Sequence, residues 1–352
     1  MKEKFNLKNI IRPNILKLQP YTSARDEFKG DASVFIDANE NSLGSVCTGN
    51  FNRYPDPLQL SLKKKIANIK NIKPEQIFLG NGSDEAIDLL FKAFCEPKKN
   101  NTLIFPPTYG MYKVLANIND IPIKEVNLNK NFSLPVDKAL KEVDNNTNLI
   151  FICSPNNPTG NLIERESIIK ILNSFNGLVI VDEAYIDFAL TESIVSEINN
   201  YPNLVVLQTF SKAWGMAGLR LGMAISNKNT IQVLNNIKYP YNVNIITQEY
   251  AEKAINNIEQ KNNMVKTIID EREKLINGIK NIKTIEKIYP TDANFVLIKI
   301  KNATEIYNKL ISKGIVIRNR SNIALCDSCL RITVGTNIEN NLLLNELHKI
   351  IQ

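Results

Sequence analysis

Histidine is almost missing from this chain: His348 is the only one in 352 residues. It lies in Leu342-Leu-Leu-Asn-Glu-Leu-His-Lys-Ile-Ile351, whose apolar spacing reads as an amphipathic helix rather than a site. Ser-His-Asp or Cys-His catalysis and histidine-based metal binding are thereby disfavoured. An enzyme made from this sequence needs another acid-base group, and a lysine working with a cofactor is the obvious candidate. Long apolar runs are missing too, since none approaches the ~18 residues of a membrane span; no membrane partner is expected. The opening Met1-Lys-Glu-Lys-Phe-Asn-Leu-Lys8 mixes charge signs and lacks the apolar core of a secretory signal, so a cytoplasmic location is expected. The five cysteines, Cys47, Cys95, Cys153, Cys326 and Cys329, include one Cys-x-x-Cys with no second pair or nearby histidine; the expectation is reduced, packed thiols and no metal. Lys plus Arg at 43 against Asp plus Glu at 36 gives a net charge of +7. These residues are scattered, which suits a solvated surface better than a nucleic-acid partner. No period of 20 to 50 residues recurs.

What is present is an alternation of short apolar runs with helical patterns. Leu103 to Phe105, Leu149 to Cys153, Leu178 to Val181, Leu204 to Leu207 and Gly222 to Ile225 read as buried strands. That is the style of an α/β domain with a mainly parallel sheet flanked by helices. A long helical stretch spans about 247 to 282 and reads as a bridge. Beyond it, strands at 293–300, 314–318 and 329–335 with helices at 303–313 and 338–351 suggest a smaller α+β domain. The expected division is 1–45 as a segment joining the small domain, 46–250 as the large domain, and 251–352 as connecting helix and small domain.

In open α/β sheets, ligands bind beyond the carboxyl ends of the strands. Several polar groups follow the apolar runs at those positions. Leu149 to Cys153 leads into Ser154-Pro-Asn-Asn-Pro-Thr-Gly160, and Leu178 to Val181 ends in Asp182-Glu-Ala-Tyr185, which puts a carboxylate at a strand tip where it needs a cation or water. Leu204 to Leu207 runs into Gln208-Thr-Phe-Ser-Lys212, with Arg220 eight residues on. A lysine among small residues and hydroxyls is expected to be desolvated and thus able to act as a nucleophilic amine. Gly80-Asn-Gly-Ser-Asp-Glu85 is a glycine turn opening a helix, suited to a monophosphate; it matches neither the dinucleotide fingerprint nor a P-loop. A phosphate seat, an imine-forming amine, a carboxylate for a ring nitrogen, and an amide with a phenol for a ring oxygen are together the needs of pyridoxal phosphate.

At these residues the chain also resembles the fold-type I pyridoxal-phosphate-dependent aminotransferases, most closely their histidinol-phosphate branch. The resemblance covers almost the whole sequence: Leu18-Gln-Pro-Tyr-Thr-Ser-Ala-Arg25, Asp37-Ala-Asn-Glu-Asn41, Asn52-Arg-Tyr-Pro-Asp-Pro57, Gly80 to Glu85, Ser154 to Gly160, Asp182 to Tyr185, Ser211-Lys212 and Leu330-Arg-Ile-Thr-Val-Gly335. It implies that Lys212 holds the cofactor as an imine, Asp182 pairs with its ring nitrogen, and Asn157 and Tyr185 bind its ring hydroxyl. Ser83 and Asp84 through their main chain, with Ser211 and Arg220, would hold its phosphate, and Tyr109 would stack on its ring. Tyr54 matches a tyrosine supplied by a neighbouring subunit, which implies a homodimer with shared sites. Arg331, Arg318 and Tyr21 match positions near the substrate anion; Arg320 and the Cys326–Cys329 segment have no counterpart in the pattern. The implied reaction is transamination between histidinol phosphate and 2-oxoglutarate, giving imidazole acetol phosphate and glutamate or running in reverse for histidine biosynthesis. Alternatives on the same scaffold are a phosphothreonine decarboxylase, an aromatic amino acid aminotransferase, and the ligand-sensing domain of a regulator.

Overall fold

The computed structural model describes residues 5–22 and 32–351. Its larger sheet has seven strands in the order β1-β7-β6-β5-β4-β2-β3. These are β1 (Ile77–Asn81), β2 (Asn101–Ile104), β3 (Ile123–Glu125), β4 (Thr147–Cys153), β5 (Leu178–Asp182), β6 (Leu204–Thr209) and β7 (Leu221–Ser226). All run in one direction except β7, which is antiparallel to both β1 and β6. β4, β5 and β6 are buried along their whole length, as strands covered on both faces must be, and that explains their unbroken apolar sequences.

Alternation along each strand decides which layer a side chain joins. Ile150, Ile152, Val179, Val181, Leu204 and Val206 face one core. Leu149, Phe151, Leu178, Ile180, Val205 and Leu207 face the other, against the helices Gly82–Phe94, Met111–Ile118 and Lys228–Ile237. Asp182, two residues beyond Ile180, therefore points toward the layer holding Tyr112.

The smaller sheet, in the order β10-β11-β9-β8, is antiparallel throughout: β8 (Ile285–Ile288), β9 (Phe295–Ile300), β10 (Arg318–Asn319) and β11 (Cys329–Thr333). Helices Ala303–Ser312 and Asn337–Ile351 cover it, with the long helix Ile258–Lys280. A cluster of Tyr185, Phe188, Ala213, Val265, Ala293 and Phe295 joins this unit to the large sheet beside the strand ends. No helix of the described residues is long and apolar enough to cross a membrane.

Several expectations need correction. The helical stretch after 247 is two helices, Ile245–Ile255 and Ile258–Lys280, interrupted at Asn256 and Asn257. The strand expected at 314–318 shrinks to Arg318–Asn319, because Val316 is exposed and 314–317 pair with nothing. Among the described residues of the first segment, Phe5, Leu7, Ile10 and Ile11 lie against the large sheet's core rather than the small unit. They pack on the layer that includes the helix Gly82–Phe94, and the Arg12 N–H donates to the Ala93 carbonyl at 2.9 Å.

One close approach fixes the sheet's edge to that helix. A Cβ on Gly222 would stand 2.2 Å from the Ser83 nitrogen and 2.3 Å from the Gly82 carbonyl carbon. Gly222→Ala is expected to destabilise the protein by about 3 kcal/mol, read by denaturant unfolding, whereas Gly218→Ala, with nothing within 4 Å of its Cβ, is expected to leave the midpoint in place.

Candidate active site

The parallel strands, β1 among them, end on one edge, and a cleft opens there. Its walls include Gly82, Ser83, Asp84, Tyr109, Asn157, Tyr185, Ser211, Lys212 and Arg220. Eight residues proposed from sequence as cofactor ligands thus converge from five separate segments.

Asp182 lies beneath the cleft, 2% exposed. Its Oδ2 accepts a hydrogen bond of 2.6 Å from the Tyr112 hydroxyl, and its Oδ1 one of 3.1 Å from the Ala184 N–H. Burial pushes the Asp182 carboxyl up to about 6, against the opposing pull of Tyr112 and Ala184. Such a carboxylate is stabilised by a cation brought to it. Tyr112 is fully buried and packs on Phe151 with ring centroids 4.9 Å apart. Sequence reasoning missed it: it is one apolar-looking position of an ordinary helix, and only the layer it faces gives it a role.

Lys212 is partly desolvated, as its setting in the sequence implies. Its side chain stands exposed in the open cleft. Its pKa is nevertheless lowered, by partial burial first and then by the positive fields of Arg331 and Arg220, with Asp182 and Asp84 pulling the other way. The ammonium lies 5.7 Å from the centre of the Tyr185 ring.

Of the two adjacent asparagines, Asn156 ties its own loop together, donating to the Pro107 carbonyl at 2.8 Å and the Thr159 hydroxyl at 2.7 Å. Asn157 faces the cleft. Its Nδ2 donates to the Tyr185 hydroxyl at 3.3 Å, and its Oδ1 accepts from Arg331 of the smaller sheet. Arg331 also lies over the Phe295 ring at 5.1 Å, and Phe295 meets Tyr185 edge-on at 5.2 Å.

At the other end, donors cluster. The helix Gly82–Phe94 begins at the cleft, so the N–H groups of its first turn lack intrahelical partners. The Gly82 N–H donates to the Arg220 carbonyl at 2.6 Å. A Cβ on Gly82 would come within 2.8 Å of the Arg220 guanidinium, and Gly82 has a φ of +72°. The Thr209 hydroxyl, not foreseen from sequence, accepts from the Ser211 N–H at 3.1 Å and lies 3.0 Å from the Ser211 hydroxyl. Asp84 keeps its side chain for Tyr109, whose hydroxyl donates to it at 3.1 Å, and for Arg220 at 3.6 Å.

Besides Asp182 beneath the cleft and Arg331, which reaches it through Asn157, three further sequence-proposed residues lie outside the cleft walls. Arg318 stands opposite Arg331 across the β10–β11 ladder. Tyr21 is 75% exposed. Tyr54 is half exposed and stacks on Tyr241 at 4.3 Å.

Residues 26–347 match the family model described as aminotransferase class I and II. The chain belongs to the class I and II aminotransferases. A histidinol-phosphate aminotransferase of Cytophaga hutchinsonii is 51% identical over 343 residues, covering 97% of this aminotransferase and 99% of that one. The crystal structure of the histidinol-phosphate aminotransferase from Clostridium acetobutylicum superposes with a TM-score of 0.79 at 29% identity, over 86% of this chain and 91% of the other. That of Sinorhizobium meliloti, in complex with pyridoxal-5'-phosphate, shares the fold with a TM-score of 0.80 at 22% identity over 96% of each chain.

The Asp182 carboxyl yields a test in the cofactor-free aminotransferase. Below the unfolded carboxyl range both states carry the proton and burial is harmless; as pH rises through about 6 the folded group must ionise in a dry site, and stability is lost. Asp182→Asn should therefore gain on the parent by about 3 kcal/mol between pH 4 and pH 8, as measured by denaturant unfolding at the two values.

Proposed function

We propose that this aminotransferase exchanges the amino group of histidinol phosphate with 2-oxoglutarate, yielding imidazole acetol phosphate and glutamate, or runs in the opposite, biosynthetic direction. The observation that carries the reading is the convergence of a buried, cation-seeking carboxylate, a depressed amine and an arginine on one cleft. The naming of half-identical relatives over nearly the full chain selects the substrate.

The residues suit pyridoxal phosphate. One end of the cleft offers donors: first-turn amides at Ser83 and Asp84, the Ser211 hydroxyl and the Arg220 guanidinium, which match a phosphate. The other holds Asp182, whose buried charge matches a protonated ring nitrogen. When bound, the cofactor supplies an electron sink for breaking the C–H bond beside the substrate nitrogen.

The chain's own groups do the rest. Lys212 tethers the cofactor until the substrate amine takes its place. Its freed Nζ would take the proton from the substrate α-carbon and deliver it to the carbon on the far side of the nitrogen, a transfer that needs the unprotonated amine favoured by its lowered pKa. Asp182 keeps a proton on the ring nitrogen, and Tyr112 keeps Asp182 in place. Asn157 and Tyr185 hold the ring oxygen, while Tyr109 covers the ring face. Arg331, with Arg318 and Tyr21, takes the substrate anion; because Asn157 also binds Arg331, ring and substrate are indexed to each other. We further infer a homodimer in which Tyr54 of each chain completes the other's phosphate seat, supported by Tyr54 standing exposed outside its own cleft.

Incubation with histidinol phosphate and 2-oxoglutarate should produce glutamate. Lys212→Ala should cut turnover by about a thousandfold or more and abolish borohydride-fixed cofactor. No glutamate, with carbon dioxide released from phosphothreonine, would instead indicate a decarboxylase.

A further inference from the structure

Three arginines on or beside the smaller sheet have no carboxylate partner among the described residues. Arg318 and Arg331 stand directly opposite each other in the β10–β11 ladder. Arg320 extends that ladder, its N–H donating to the Cys329 carbonyl at 2.9 Å. Residues two apart on a strand share a face, so all three guanidinium groups leave the same side of the sheet edge. Like charges placed across from one another oppose strand pairing. Yet, among the described residues, none of the three makes an ion pair. The Nε atoms of Arg320 and Arg331 are both buried without a hydrogen-bond partner. Burial and the fields of Arg331 and Arg318 push Arg320 down to about 10, and the fields of Arg331 and Arg320 both reach the Tyr185 phenol in the cleft.

The backbone holds Arg320 at this place. Its carbonyl accepts from the Ile323 N–H at 3.0 Å, Cys326 donates to Ile323 at 3.0 Å, and Cys329 donates to Cys326 at 3.0 Å. Leu325 and Ser328 adopt φ of +61° and +57° to close these turns, and both thiols are fully buried beneath them. The Cys-x-x-Cys segment thus forms the packed underside of a tight loop that carries the half-buried Arg320 guanidinium.

The anion this cluster fits follows from charge and oxygen count. A carboxylate has one charge and two oxygens, which a single forked guanidinium saturates. A phosphate monoester has three terminal oxygens and up to two negative charges, leaving work for a further cation. We propose that Arg320 is a third arm of the substrate-anion site and selects the phosphate ester over a carboxylate in the same pocket. This inference rests on the reaction proposed above and adds its specificity residue.

The test uses the cofactor-loaded enzyme, so that the cofactor's own phosphate seat is filled. Arg320→Gln should raise KM for histidinol phosphate about tenfold, the loss expected for one charge-assisted hydrogen bond. KM for glutamate should move by less than about twofold, as one guanidinium suffices for its carboxylate. Arg320→Lys, which keeps the charge but loses the fork, should recover part of the phosphate-ester KM. Inorganic phosphate should raise the parent's melting temperature more than that of Arg320→Gln. Unchanged KM values, an equal rise for both substrates, or equal protection by phosphate would overturn the assignment. If the parent fails to turn over histidinol phosphate while phosphate protection still falls in Arg320→Gln, the reaction reading is lost and the arginine's role stands.

Discussion

The structure depends on a carboxylate kept where water cannot reach it. Asp182 sits at the end of a wholly buried strand, held by one hydroxyl and one backbone amide, with no cation in bonding contact among the described residues. Leaving a charge in such a place is costly unless something positive arrives. On the proposed reading, the protonated ring nitrogen of pyridoxal phosphate is that cation, and its arrival would turn a cost of the empty protein into affinity for the cofactor. The amine of Lys212 is favoured in its neutral form by partial burial first and then by the fields of Arg331 and Arg220, while Asp182 pulls the other way.

The rest of the fold brings partners to that point. β4, β5 and β6 deliver Asn157, Asp182 and Lys212 from adjacent strand ends, while β1 and its following helix bring the first-turn amides of Ser83 and Asp84. β11 reaches in from the smaller sheet with Arg331. Asn157 joins the two units, touching Tyr185 on one side and Arg331 on the other. Movement of the smaller sheet would be felt at Tyr185 through this single amide.

Much of this was legible in the sequence because unbroken apolar runs mark central strands, and polar residues at their ends stand out against them. Asn157, Asp182 and Lys212 were found that way, and the glycine turn at Gly82 by its helix. Tyr112 and Thr209 were hidden, since a tyrosine within a helix and a threonine at a strand's last position do not stand out; the partner of Tyr112 lies 70 residues away, and Thr209 is placed by Ser211 together with the Leu221 carbonyl, 12 residues on. The short strands β3 and β8, only partly buried, lack the apolar runs that marked the others. Arg320 was visible but unassigned, for the ladder that aligns it with Arg318 and Arg331 exists only in the folded sheet.

The central claim concerns one proton. Nitrogen-15 spectra of the enzyme loaded with ring-labelled pyridoxal phosphate report directly whether the ring nitrogen carries it. A protonated nitrogen persisting at pH 8 in the parent, and losing its proton when residue 182 is asparagine, is the predicted result. An unprotonated nitrogen in the parent, or a protonated one that ignores the substitution, would contradict the account.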